Sequence, residues 1–225
     1  MVDPLTVCRE WVVWDWNGTL LDDTVAALNA FNVQLVRRGL PPITFDFYRD
    51  HFAFPVKPFY VLCGIDLARE DWDELAHEYH RSYAAEPKAL NVEAVAALEA
   101  VRARGARQCI LSALRQDLLD AALTEHGIRP YFDYVYGVDN LDGGSKLERA
   151  RELFAHLAAD ASPYGPARIT LIGDAIHDAE VARALGVDCV LVATGGHSAA
   201  RLRAVAPTAD TLLQAIRAVG RGNLV

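Results

Sequence analysis

From Val92 onward, short apolar runs alternate with stretches of helical periodicity. Cys109-Ile110-Leu111, Tyr134-Val135-Tyr136, Ile169 to Ile172 and Cys189 to Val192 read as buried strands. Val92 to Arg104 (with Val95, Leu98 and Val101 facing inward), Gln116 to His126, Ser145 to Ala159 and Ile176 to Leu185 read as helices, and a last helix falls near Asp210 to Val219. Strand and helix taking turns in this way is the pattern of a parallel sheet covered by helices on both faces. Trp11 to Trp14 has the same buried-strand character and belongs to the same sheet. The expected fold class is therefore α/β, a doubly wound parallel sheet.

The stretch between the first strand and Val92 has a different pattern. Val25 to Arg38 carries Leu28, Phe31, Leu35 and Val36 near helical spacing and ends at Gly39. Thr44 has the chemistry of an N-cap for a short helix through His51, and Glu70 to Ala85 places Trp72, Leu75, Ala76 and Tyr79 on one face. Between these helices lies an aromatic segment with two prolines, residues 52–64. No strand pattern occurs in this region, so the sequence predicts an all-helical insertion after the first strand.

Composition narrows the possible functions. Of the 225 residues, 52% are hydrophobic, enough for a sizeable core and a small second lobe. The formal net charge of -8 argues against a nucleic-acid partner, because phosphate backbones are held by clustered Lys and Arg. Cys8, Cys63, Cys109 and Cys189 show no CxxC spacing, which favours a reducing cytoplasm over a metal site. Asp3, Arg9 and Glu10 interrupt any leader-like opening, and no apolar run is long enough to span a bilayer. No feature sets an oligomeric state.

Candidate chemistry lies just past the strand ends, where ligands bind in open parallel sheets. Asp15 and Asn17 follow the first strand, Ser112 the second and Asp174 the Ile169 run, while Lys146 falls in the first turn of a helix and Asp178 sits within the next one. Each has an ordinary structural alternative. Asp15 and Asn17 suit a turn, and Ser112 could cap the helix before His126. Lys146 could be an exposed first-turn lysine, although the helix dipole disfavours that, and Asp174 and Asp178 could cap the helix from Ile176. His177 reads as a helix-terminal surface residue. His51 and His197 have no metal-ligand spacing, and Thr194-Gly195-Gly196 reads as a loop turn with some chance of lining a site.

Taken in order, Asp15-Trp16-Asn17-Gly18-Thr19, Ile110-Leu111-Ser112, Lys146 and Gly173-Asp174-Ala175-Ile176-His177-Asp178 resemble the four motifs of haloacid dehalogenase superfamily phosphatases. The likeness spans nearly the whole chain. It implies a Rossmann-like core of residues 1–21 and 91–225 and a helical cap of residues 22–90, as in phosphoglycolate phosphatase-like members. It also implies a Mg²⁺-dependent hydrolase acting on a small phosphate monoester through an aspartyl-phosphate intermediate. In that pattern Asp15 is nucleophile and metal ligand, the Asn17 carbonyl and Asp174 are further ligands, and Asp178 orients the metal's waters. Ser112 and the Ala113 N–H hold phosphoryl oxygens, and Lys146 neutralises the phosphate. A hard divalent ion fits because a carboxylate can attack a doubly negative phosphate only once its charge is screened.

One position departs from the pattern. The family usually carries an aspartate acid/base where Asn17 stands, and Asn17 cannot titrate, so a water, Asp22 or Asp23 would have to share that role. Asp174 speaks against dehalogenation, since dehalogenase members lack the metal acid. Lys57 in the cap reads first as a contact for an anionic substrate tail. Its alternative is the imine-forming lysine of phosphonoacetaldehyde hydrolase-like members, which cleave a C–P bond. A third expectation is a weakly catalytic, phosphate-ligand-binding regulatory protein.

Overall fold

The computed structural model of the protein describes residues 10–139, 146–161 and 167–219; Cys8 and Ser145 lie outside them. Its main sheet contains β1 (Glu10–Trp14), β4 (Arg107–Arg115), β5 (Tyr134–Val138), β6 (Arg168–Gly173), β7 (Asp188–Val192) and β8 (Thr208–Ala209). The order is β5-β4-β1-β6-β7-β8, with every pair parallel. The chain leaves β1 towards β4 on one side and returns to β6 on the other. The carboxyl end of β1 therefore lies where the strand order reverses, the place at which such sheets bind ligands.

Alternation along β1 assigns its side chains to two cores. Val12 and Trp14 pack with Ile110, Leu98 and Ile216, on the side of α5 (Ala94–Ala103), α6 (Gln116–Glu125) and α10 (Leu212–Ala218). Trp11 and Val13 pack with Leu153, Leu157 and Val181, on the side of α7 (Leu147–Ala161) and α8 (Ile176–Leu185). A strand covered on both faces needs apolar residues at every position, which is why these strands read as continuous runs. A polar bridge crosses the sheet interior, in which Trp14 Nε1 donates to Gln108 Oε1 and Gln108 Nε2 donates to the Leu98 carbonyl, both at 3.0 Å.

The insertion consists of α1 (Thr24–Arg37), α2 (Phe45–His51), α3 (Lys57–Leu62) and α4 (Trp72–Ala85). Thr44 caps α2, its side chain accepting from the Phe47 N–H at 3.2 Å, and Asp71 caps α4. Leu28, Phe31, Leu35, Tyr48, Phe59, Tyr60 and Leu75 form its own buried cluster. Arg38 closes its edge with a two-pronged contact to Glu70 at 2.7 and 2.8 Å and a third to Glu78 at 3.0 Å.

Several expectations need correction. The insertion is not bounded by helices alone: β2 (Leu21–Asp22) and β3 (Ala89–Leu90) pair antiparallel where the chain enters and leaves it. Two-residue strands leave no periodicity to read. Helix α3, β8 and the short helix α9 (Ala199–Arg203) were also absent from the sequence pattern, being too short to show a period. Val36 and Val95 face solvent at 59% and 46% exposure. Each stands one residue, about 100° of helical rotation, from the buried stripe that Leu35, or Ala94 and Leu98, occupies. No helix among the described residues is long and apolar enough to cross a membrane.

The insertion is fastened to the main sheet's loops by two arginines. Arg49 donates to the Ala193 and His197 carbonyls at 2.9 Å, and Arg201 donates to the Arg49 and Phe52 carbonyls at 2.8 and 2.9 Å. Arg201→Ala removes two of these bonds without touching either core. It should speed limited proteolysis within residues 52–58 several-fold while leaving the far-ultraviolet circular dichroism of the native protein unchanged.

Candidate active site

Strand β1 ends at Trp14, and the Asp15 N–H donates to the Ile172 carbonyl at 2.8 Å, carrying the sheet pattern one residue further. That bond fixes Asp15 beside the end of β6, whose continuation supplies Asp174. Lys146, immediately before α7, sends its ammonium between two carboxylates: Nζ lies 2.6 Å from Asp15 Oδ1 and 2.6 Å from Asp178 Oδ1. It also donates to the Leu111 carbonyl at 3.2 Å. Lys146 is 3% exposed, so the reading of an exposed first-turn lysine is wrong. A buried ammonium is retained only with such partners.

Asp178 caps a helix, as one of its readings has it, and also meets the lysine. Its Oδ2 accepts from the Ala175 N–H at 3.0 Å, capping α8, while Oδ1 faces Lys146. Asp174 is not a helix cap; its Oδ2 accepts from the Gly196 N–H at 2.6 Å and its Oδ1 lies 3.4 Å from Thr19 Oγ1. Ser112 and Ala113 fall inside β4, which runs further than the apolar run suggested. Ser112 Oγ accepts from the Leu114 N–H at 3.0 Å and does not cap α6, which starts beyond it at Gln116.

Two glycines let the backbone close on Asp174. Gly18 has φ +72°, and a Cβ there would come within 2.4 Å of Asp174 Oδ2; at Gly195 the distance would be 2.0 Å. The Thr194-Gly195-Gly196 turn is therefore part of the site. Thr194 Oγ1 donates to the Gly18 carbonyl at 2.9 Å, joining this turn to the first loop.

One ligand oxygen from each of Asp15, Asp174 and Asp178 lies within 4.8 Å of the others, and all three residues are buried. Burial pushes the Asp15 carboxyl up to about 7 against the pull of Lys146, with Asp178 adding to the rise. Burial, then the Asp15 and Asp178 charges, push Asp174 well above the carboxylate range. Burial works against charge on Lys146, but Asp15 and Asp178 outweigh it and hold its proton above the usual lysine range. Asp15 and Asp178 thus share one ammonium with Asp174 beside them, a cluster of hard oxygen donors. The donor set fits Mg²⁺.

Asn17 lies in a second polar cluster beside the first. Its amide nitrogen donates to Asp23 Oδ2 at 2.7 Å and to the Tyr83 hydroxyl at 3.0 Å, while that hydroxyl donates to Asp23 Oδ2 at 2.5 Å. Asp23 Oδ1 accepts from the Gly18 N–H at 2.6 Å. Asp22 is exposed and Asp23 is buried, so only Asp23 meets the site. Tyr83 was missed in the sequence, although it continues the Tyr79 stripe four residues on.

His177 is not a simple surface residue. Its side chain is 13% exposed and its ring sits 5.8 Å from that of Phe54. His197 is buried, accepts from the Ile176 N–H at Nδ1 at 3.0 Å, and is held neutral by burial, which pulls its pKa down to about 4. Lys57 is not brought to this site. It is exposed, with its ammonium 4.6 Å from the centre of the Trp72 ring, outside the cavity that Asp15 lines.

A carboxyl with a raised folded-state pKa costs stability as pH climbs from its unfolded value near 4 through its folded value near 7. A divalent cation bound by the ionised acids opposes that cost, and protons compete with it at lower pH. Millimolar Mg²⁺ should therefore raise the melting temperature clearly at about pH 8 and little at about pH 5.5, as measured by thermal scans with and without the salt.

Residues 12–192 match the family described as haloacid dehalogenase-like hydrolase. A phosphoglycolate phosphatase from Caulobacter vibrioides is 27% identical over 193 residues, covering 82% of this chain and 79% of the relative. The tyrosine-protein kinase PtkA of Mycobacterium tuberculosis is 28% identical over 189 residues, covering 82% of this chain and 62% of the relative, so the chain spans less than two thirds of that protein. The solved PtkA structure superposes with a TM-score of 0.74 at 24% identity, covering 95% of this chain and 99% of that one. A haloacid dehalogenase-like family hydrolase from Streptococcus pneumoniae also gives a TM-score of 0.74, at 20% identity over 93% of this chain and 98% of that one.

Proposed function

The chain belongs to the haloacid dehalogenase-like hydrolase family, and from that premise we propose that it is a Mg²⁺-dependent phosphohydrolase of phosphate monoesters working through Asp15. In this reading residues 1–21 and 91–225 are the core and residues 22–90 a cap over its site. The observation that carries it is the buried Lys146 ammonium, 2.6 Å from both Asp15 and Asp178, with Asp174 beside them. A cation held so close to a candidate nucleophile suits a reaction that brings a phosphate dianion to that spot.

Asp15, Asp174 and the Asn17 main-chain carbonyl would hold Mg²⁺, with Asp178 orienting its waters. Bound there, the ion would screen the phosphate charge and polarise its oxygens. An Asp15 carboxylate oxygen supplies the electron pair for a new O–P bond, while the ester oxygen leaves with the pair of the bond it loses. Water then attacks the aspartyl phosphate, releasing inorganic phosphate and returning Asp15 as a carboxylate. Ser112 and the Ala113 N–H would hold the phosphoryl oxygens, and Lys146 would balance their charge. The arginine fastenings at Arg49 and Arg201 would keep the cap over the site and limit water entry.

The relative from Caulobacter vibrioides is named for phosphoglycolate, which makes that ester one of the first to try. Free thiols at Cys63, Cys109 and Cys189 support a reducing, cytoplasmic setting. Asp15→Asn keeps the shape and removes the nucleophile. It should lower Mg²⁺-dependent phosphate release by at least about 10³-fold, and retention of wild-type rates would sink the reading.

A further inference from the structure

The cavity that opens from Asp15 has a volume of about 530 Å³ and extends into the helical insertion. Its walls there are rings: Phe52, Phe54, Phe59, Tyr60, Trp72 and Tyr79 all line it. Phe52 meets Phe54 and Phe59 edge-on at 5.2 and 5.4 Å, and Tyr60 meets Trp72 at 5.4 Å, so the rings brace one another. A two-carbon acid would leave most of this volume empty. Besides Lys146, the lining's described lysine and arginine, Lys88 and Arg115, already have partners within the chain. Lys88 donates to the Tyr83 and Glu86 carbonyls at 2.7 and 2.6 Å, and Arg115 makes two hydrogen bonds to Asp117 at 2.6 and 2.8 Å. Walls built of rings that brace one another favour a flat aromatic guest.

A second observation, independent of the first, concerns the leaving group. Asn17 cannot give up a proton as an acid, and both protons of its amide are spent on Asp23 and Tyr83. An aliphatic alkoxide leaves as a strong base, comparable to hydroxide from water of pKa about 15.7. A phenoxide, whose acid has a pKa of about 10, leaves without being protonated in the transition state. Asp23, the carboxyl beside Asn17, has both oxygens accepting, from the Gly18 N–H and from Asn17 and Tyr83, so among the described residues no acid is poised in Asn17's place for an alkyl ester, while the walls fit an aryl ester.

Resting on the phosphohydrolase reading, we infer that the substrate is an aryl phosphate, a phosphomonoester whose scissile oxygen is carried by an aromatic ring. Asp15 forms the O–P bond, the P–O(aryl) bond breaks with its electron pair on the ring oxygen, and the phenoxide takes its proton from water after departure. Hydrolysis of the aspartyl phosphate completes the cycle, and no oxidant or co-substrate other than water is required.

The test compares Mg²⁺-dependent phosphate release from ring-substituted phenyl phosphates and 2-naphthyl phosphate with release from ethyl phosphate and phosphoglycolate. The wild type should favour the aryl esters by at least about 10³-fold in kcat/KM, with rates falling steeply as the leaving-group pKa rises. Asn17→Asp should restore a proton donor, raising the alkyl esters by about 10²-fold or more and flattening that slope. Phe54→Leu should raise KM for 2-naphthyl phosphate several-fold. A phosphotyrosyl peptide, run beside phenyl phosphate, tells whether the aryl ester is a free small molecule or a protein side chain; hydrolysis of either supports the inference. Phosphoglycolate turned over as well as phenyl phosphate, or a leaving-group slope unchanged by Asn17→Asp, would overturn it while leaving the phosphohydrolase reading intact. Absence of Asp15-dependent release from both ester classes would overturn both.

Discussion

The structure turns on one buried ammonium. Lys146 stands between Asp15 and Asp178, with Asp174 close by, at the point where strands from distant parts of the chain end together. Acids packed at that density repel one another and lose hydration, and removing the cation from such a group is far costlier than the pair is worth on balance. The arrangement exists because the parallel sheet brings the exits of β1 and β6 side by side, while α7 and α8 begin facing them. Gly18 and Gly195 then allow the backbone to close on Asp174, where any side chain would collide with the carboxylate. The result is a pre-formed anionic pocket holding its own counter-charge, suited to a divalent ion and a phosphate.

The helical insertion contributes the rest of the cavity. Its own cluster of Phe31, Leu35, Tyr48, Phe59, Tyr60 and Leu75 makes it a packed body, not a loop. Its contacts with the sheet's loops combine arginine hydrogen bonds to main-chain carbonyls with ring contacts of Phe52 to His197 and Phe54 to His177. Tyr83 reaches from α4 to Asn17 and Asp23, so the state of the first loop is joined directly to the insertion. The aromatic walls and the amide of Asn17 line one and the same cavity.

Among these hydrolases the chain keeps Asp15, Lys146, Asp174 and Asp178 at the motif positions it resembles but carries an asparagine two residues beyond Asp15. That change was plain in the sequence. Its consequence was not, because the role of an amide depends on where its two protons go. Asp22 and Asp23 are adjacent and chemically identical, and the first turn of the insertion sends one to solvent and the other to Asn17. Lys57 illustrates the opposite case, a residue of the right chemistry in the right segment that stacks on Trp72 away from the cavity.

The sequence by itself determined the alternation of strand and helix, the parallel α/β class and the order of the motif residues, because burial on both faces of a sheet imposes continuous apolar runs and each helix imposes its own period. It also determined the helices of the insertion, since Leu28, Phe31 and Leu35, or Trp72, Leu75 and Tyr79, leave little other choice. Tertiary structure alone decided which polar groups share a pocket. The short strands β2, β3 and β8 and the helices α3 and α9 arise from packing, not from any local pattern. The turn at Gly195 became part of the site only because folding pressed it against Asp174, and Tyr83 and His177 face the cavity for the same reason. Such meetings depend on distances across the fold that no local periodicity encodes.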